Sequence, residues 1–213
     1  MVDNIKVFTH SSIRVQSRDK AIYADPFEMK QAPHDADIIL ITHDHYDHFS
    51  PNDISKVAKP ETVLVVPEKM AKKAGDAKSL VSRIETVPQG ASIDVDGLKI
   101  ETVPAYNTLK PFHMKSAGWV GYIFEADGKR VYIAGDTDAT KEAKAVKCDI
   151  ALVPIGGHYT MDYKDAAAVV NAIKPEVAIP THYGSIVGSP EDGNKFTELV
   201  DDSIKVEIKI GND

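Results

Sequence analysis

Residues 42–48 read Thr-His-Asp-His-Tyr-Asp-His. Three imidazoles and two carboxylates crowd into one short stretch. Neutral imidazoles and ionised carboxylates packed this closely would repel or leave donors unpaired unless something compensates. A divalent cation does so, because His nitrogen and Asp oxygen are ordinary ligands of Zn²⁺ and its first-row neighbours. The spacing divides the groups. His43 and His45 can reach one side of a loop, and the adjacent Asp47 and His48 can reach a second point nearby. Asp44 and Tyr46 alternate away. The pattern H-x-H-x-D-H therefore fits two ion sites a few ångströms apart. The plain alternative is a polar surface loop, since His and Asp are common in turns.

Two other segments place a possible ligand just past an apolar run. Val131-Tyr-Ile-Ala-Gly-Asp136 ends in a carboxylate, and Val177-Ala-Ile-Pro-Thr-His182 ends in an imidazole. Loops at strand ends carry function over a rigid scaffold. Alone, Asp136 could be a turn aspartate and His182 a hydrogen-bonded buried histidine. Beside the first cluster, both become ligand candidates.

The elements that must position these groups are short β-branched runs. Ile5–Thr9, Ile13–Gln16, Ala21–Ala24, Ile38–Ile41, Thr62–Val66 and Arg83–Val87 read as strands in the first half. Ser92–Val95, Lys99–Val103, Val120–Glu125, Arg130–Ala134, Ile150–Val153, Val177–Ile179 and Lys205–Ile210 follow in the second. Asp96-Gly97 and Asp127-Gly128 are hairpin signals. Ser50-Pro51-Asn52-Asp53 has the cap, proline and acid of a helix start. Asp162–Ile173 reads as a helix, Glu191–Asp202 and Pro67–Ala74 more weakly so. Asp37–His43 and Glu176–His182 echo each other: an acid, an apolar strand, then Thr-His. Strands in series with helices late in each half imply two sheets with helices outside.

Composition sets the limits. The chain has 213 residues, 43% of them hydrophobic, which suits a substantial core. One domain over residues 1–213 is expected. The net charge is −7 and the lysines are scattered, which argues against a nucleic-acid surface. No run approaches the roughly 18 to 20 apolar residues of a membrane span. The N-terminus carries no secretory signal pattern, and the single cysteine, Cys148, excludes an internal disulfide, so a cytoplasmic location is expected. Cys148 has no motif around it and reads as a buried structural thiol. No G-x-S-x-G elbow, Walker A or G-x-G-x-x-G is present.

Taken together, Thr-His-Asp-His-Tyr-Asp-His, Gly135-Asp-Thr-Asp138 and Ile179-Pro-Thr-His-Tyr-Gly184 resemble the metallo-β-lactamase superfamily. The resemblance runs from His10-Ser-Ser12 to the last strand. Those three residues, Val103-Pro-Ala-Tyr106 and Pro154-Ile-Gly-Gly157 make the chain similar to short stand-alone metal-dependent hydrolases. Their branch includes ascorbate-6-phosphate lactonase and the N-acyl phosphatidylethanolamine phospholipase D. The resemblance implies a four-layer αββα sandwich, an α/β (α+β) fold, with two metals at one edge. It implies His43 and His45 on the first metal, Asp47, His48 and His182 on the second, and Asp136 bridging. The first metal of this family usually has a third histidine, and Asn107 stands at that position. His113, six residues on, is the preferred replacement, with the poorer Asn107 carbonyl as the other candidate. Zinc is the first expectation for the two ions, with manganese or iron as alternatives.

The chemistry so implied is hydrolysis of a phosphodiester or lactone-type small molecule by a metal-bound hydroxide. Asp47 would orient the nucleophile. His158, His10 or Tyr159 would assist the leaving group, and His10 could instead lie behind the ligands. Lys110 and Lys115 would suit an anionic substrate, or be solvated. A homo-oligomer is possible. Two other readings stay open: a metal- or ligand-binding sensor or assembly protein without turnover, and a di-iron redox site.

Overall fold

The computed structural model describes residues 1–108, 110 and 112–211. Among these described residues, thirteen strands form two mixed sheets. The first runs in chain order: β1 (Ile5–Val7), β2 (Ile13–Ser17), β3 (Lys20–Ala24), β4 (Ala36–Leu40), β5 (Ala58–Pro67) and β6 (Arg83–Val87). The second holds β7 (Ser92–Val95), β8 (Leu98–Pro104), β9 (Val120–Ala126), β10 (Lys129–Ile133), β11 (Ile150–Pro154), β12 (Val177–Thr181) and β13 (Lys205–Val206). Each half begins as an antiparallel meander and turns parallel, at β3–β4 in one and β10–β11 in the other. The sequence echo lands on this symmetry: β4 and β12 each lie between parallel neighbours and each run out into Thr-His.

Burial explains why the central strands are apolar on both faces. Ile38 and Leu40 of β4 point between the sheets, where they meet Tyr122, Phe124, Ile133 and Leu152 from the second sheet. Ile39 of β4 and Ile41 just beyond it point the other way, onto Ile54 and Val57 of helix α1 (Pro51–Val57) and Ala74 of α2 (Ala71–Ala74). On the outer face of the second sheet, Tyr132, Val153 and Ala178 pack on Ala166 and Val170 of α4 (Tyr163–Ile173) and Phe196 of α5 (Asp192–Leu199). The short α3 (Lys141–Lys144) joins that layer through Ala143. The expected αββα sandwich is the fold. Among the described residues no helix is long and apolar enough to cross a membrane.

Local chemistry set most boundaries. Ser50 caps α1, its hydroxyl accepting from the Asp53 amide, and Pro51 opens the helix. Asp96-Gly97 and Asp127-Gly128 both take positive φ, as tight hairpins demand. Three expectations shift, and one short helix joins the expected elements. β5 extends from Ala58 through Pro67, so the region after it is a 3-10 turn and one turn of helix rather than one helix from Pro67. α5 stops at Leu199 because Val200 is extended. The last strand shrinks to Lys205–Val206, since the chain then crosses to the first sheet, where Ile210 bridges Val7. The four-residue α3 is too short to leave a periodic signal, though Thr140 caps it. Cys148 packs against the second core, and burial pushes its thiol up to about 12.

Candidate metal centre

The first cluster hangs between two fixed points. β4 delivers Thr42 and His43, and the capped α1 takes the chain away. Between them a tight turn folds back, with the amides of His48 and Phe49 both donating to the carbonyl of His45. This brings His48 under His43, ring centroids 4.0 Å apart. Asp136 arrives from the end of β10 through Gly135. The glycine has φ +65°, and a Cβ there would sit 3.0 Å from Thr42. Only glycine allows this close approach of the two loops. His182 leaves β12 in a left-handed conformation, φ 57°, its amide donating to the carbonyl of His10.

His113 joins them. Its carbonyl accepts from the amide of Asn107 at 2.7 Å, closing the loop so that the imidazole folds back to the cluster. Asn107 is buried too; its amide nitrogen donates to the Tyr159 carbonyl at 2.8 Å, tying two loops together, while its Oδ1 is buried without a hydrogen-bond partner.

Asp136 is the hub. Nε2 of His182, His48, His43 and His113 lie 3.2, 3.4, 3.8 and 3.9 Å from its carboxylate oxygens. Possible ligand atoms fall into three overlapping groups, each within 4.8 Å: His43, His45 and His113; His43, His48 and Asp136; and His10, Asp47, His48 and His182. The structure thus brings together every residue expected to bind metal, with His10 beside them.

The hydrogen-bond accounting points the same way. Nε2 of His43 and His48, both ring nitrogens of His113 and His182, and Oδ1 of Asp136 are buried without a hydrogen-bond partner. A buried polar group left unpaired costs about 1–3 kcal/mol. So many in one place is the signature of a site shaped for a cation. The donor set, imidazoles with carboxylates, fits divalent first-row ions.

Behind the cluster a buried carboxylate sets the tautomers. Asp25 lies at the end of β3, and its Oδ2 is 2.7 Å from Nδ1 of His48 and accepts from the Thr42 hydroxyl at 2.6 Å. Its Oδ1 accepts from the Thr42 amide. With its proton given to Asp25, the Thr42 oxygen is an acceptor for Nδ1–H of His43 at 3.0 Å. In their neutral forms both imidazoles would then turn an Nε2 lone pair toward Asp136. Trp119, the only tryptophan in the chain, walls the other side, its ring 4.7–4.9 Å from those of His43, His45 and His113.

Four of the groups rest in the protonation state a cation needs, and His48 does not. Burial holds His43 well below the usual imidazole range and His113 at about 4, so both are neutral. Burial opposes ionisation of Asp136, but the surrounding histidines outweigh it and hold it well below the usual carboxylate range. Asp47 reaches about 2, burial being outweighed by the His10 hydrogen bond and the His48 charge. Burial would also lower His48, yet Asp136, Asp25 and Asp47 raise it to about 9. A bound cation would compete with that proton.

A cavity of about 290 Å³ opens onto the cluster. His45, Asp47, His113, Asp136 and His182 form its floor, and Tyr46, Phe112, Tyr159, Ile186 and Val187 its walls. Two sequence expectations change here. His158 is exposed and does not line the cavity; its ring packs edge-on against Tyr159, 4.4 Å between centroids. Lys110 and Lys115 do not line it either. Lys110 donates to Asp138 and the Thr160 carbonyl, both at 2.6 Å, and Lys115 donates to Glu142 at 2.6 Å. Asp25 and Trp119 were missed. Asp25 carried a usable signal, because it follows an apolar strand just as Asp136 does.

Comparison with known proteins decides the family. A model described as the beta-lactamase superfamily domain matches residues 4–182. The chain belongs to the metallo-β-lactamase superfamily. A UPF0173 metal-dependent hydrolase of Pyrococcus abyssi is 32% identical over 218 residues, covering 96% of this chain and 95% of the relative. Its counterpart in Thermococcus onnurineus is 32% identical over 217 residues, with 96% and 95% covered. Among solved structures, Igni18, a metallo hydrolase from the archaeon Ignicoccus hospitalis, is 27% identical with a TM-score of 0.77, covering 96% of this chain and 93% of that one. This superfamily member is therefore similar to stand-alone metal-dependent hydrolases along nearly its whole length.

Proposed function

We propose that this protein is a hydrolase acting on an ester-type bond, a lactone or phosphodiester, with two divalent metal ions. The observation that carries the proposal is the set of buried, unpartnered nitrogens and oxygens converging on Asp136. His43, His45 and His113 would hold one ion, Asp47, His48 and His182 the other, and Asp136 would be shared. Zinc is the first choice, with manganese or iron the alternatives. When bound, such ions supply Lewis acidity, which makes water acidic enough to act near neutral pH and polarises the oxygen of the bond to be cut.

The side chains do the rest. Asp47 lies at the cavity floor, partly solvent-accessible, and its Oδ2 is 3.2 Å from Nε2 of His10. It would orient the attacking water and accept its proton, and His10 would hold the carboxylate in place. The other nitrogen of His10 faces the Ser185 hydroxyl at 3.4 Å. Tyr159, in the cavity wall, would protonate the leaving oxygen. His158, exposed beyond Tyr159, takes no part in this scheme.

The test is elemental analysis of protein purified without chelator, followed by turnover on phosphodiester, lactone and thioester panels. About two equivalents of metal per chain are expected, with hydrolysis on at least one panel. The variant His113→Ala should lose roughly one equivalent. Metal-free protein, or fully loaded protein inert on every panel, would overturn the proposal.

A further inference from the structure

The walls of the cavity differ from the rest of the surface. Among the described residues, six large hydrophobic side chains are strongly exposed. Three of them stand on this one opening: Tyr46 at 68%, Phe112 at 55% and Ile186 at 42%. They come from three separate chain segments, so no single loop accounts for their meeting. Met114, 61% exposed, is two residues from Phe112. Large apolar groups left in water around a concave site mark a surface that something apolar covers.

The charge pattern agrees. No lysine or arginine lines the cavity among the described residues. The two lysines nearest in sequence to His113 are held by Asp138 and Glu142. Two of the floor residues are carboxylates, Asp47 and Asp136, and the whole chain carries a net charge of −7. Apart from the ions at the floor, which would meet a carbonyl or a phosphoryl oxygen alike, a phosphoryl or carboxylate group would find no lysine or arginine here to neutralise its remaining charge.

Resting on the hydrolase assignment above, we infer that the substrate is a small neutral ester or lactone. Its apolar acyl or aromatic part seats on Tyr46, Phe112 and Ile186 while its carbonyl faces the floor. Water adds to the acyl carbon, the acyl C–O bond breaks, and the leaving oxygen takes a proton, giving an acid and an alcohol. At about 290 Å³ the cavity suits a short chain or a single ring rather than a long lipid.

Two measurements test this. The first is turnover of metal-loaded protein on p-nitrophenyl acetate, butyrate and hexanoate against bis(p-nitrophenyl) phosphate. The efficiency kcat/KM should rise with acyl length and exceed that for the phosphodiester. Phe112→Ser and Ile186→Ser, both at exposed positions, should each raise KM for the hexanoate about tenfold while kcat changes little. The second needs no turnover: hexananilide and phenyl phosphate are titrated into metal-loaded and metal-free protein, read from Trp119 fluorescence. The anilide should bind both forms, and the two serine variants should weaken it by a similar factor. Faster cleavage of the phosphodiester, no dependence on acyl length, or anilide binding indifferent to both variants would overturn the inference. So would a change in oligomeric state with Phe112→Ser at unchanged KM, because the rim would then be a contact between copies. No turnover of either class, with rim-dependent anilide binding, would instead overturn the hydrolase assignment and leave the apolar seat standing.

Discussion

The two ends of β4 carry polar clusters of opposite character. Before the strand, Asp35 accepts from Arg14 at 2.7 Å and from the Tyr23 hydroxyl at 2.8 Å, and Arg14 also donates to Gln16 at 2.6 Å. This network brings its own cation, and both carboxylate oxygens of Asp35 have partners. After the strand, His43 and the groups it meets leave buried nitrogens and an oxygen unpartnered. The first cluster is complete as folded. The second is complete only when a cation arrives from outside. Two equally polar clusters on one strand thus differ in where the positive charge comes from, and that difference separates a structural network from a site.

Chelation should break the symmetry most visibly. Removing a ligand present at about a thousand times its dissociation constant costs about 4 kcal/mol. For a chain of this size that lowers Tm by roughly 10 °C. Thermal scans with and without chelator check it, and an unchanged Tm would mean the unpartnered atoms are not a cation site. Next, Asp25→Asn should weaken metal binding by about 10–100-fold, because the carboxamide no longer dictates the His48 tautomer. Titration in metal buffers measures this, with Arg14→Met as the comparison expected to bind metal normally.

Arg14→Met should affect stability instead. The expected cost is about 1 kcal/mol in urea unfolding, at the low end because Asp35 is 38% exposed. The smallest effect is in pH. Burial pushes the Asp35 carboxyl up, but Tyr23 and Arg14 more than offset this and hold it below its ordinary value. A depressed folded value means the stabilisation is present above the unfolded pKa, about 3.9, and is lost as pH falls below it through the folded value. In metal-free protein, the urea midpoint gap between wild type and Asp35→Asn should hold from neutral pH to about 4 and shrink below that. A gap that grows in acid would contradict the assignment.

Much of this was legible in the sequence, and the reasons are local. Apolar runs such as Ile38–Ile41 identify strands because burial on both faces demands them, and Asp-Gly pairs identify hairpins because positive φ demands them. The signals failed where partners are distant or elements short. α3 has four residues and no period. The last strand ends early because its chain serves two sheets. Lys110 and Lys115 look available beside His113, but tertiary packing brings Asp138 and Glu142 to them from 28 and 27 residues away.

By itself the sequence determined which chemistry was available: the imidazoles and carboxylates of residues 43–48, and strand ends that carry Asp136 and His182. These follow from residue type and short spacing, which local backbone geometry obeys. Only the tertiary structure decided which lone pairs stay unpartnered. Asp25 and His48 are 23 residues apart, His10 and Asp47 are 37 apart, and the loop carrying His113 must fold back over the same point. Sheet register and loop closure set those distances, and neither can be read from spacing along the chain.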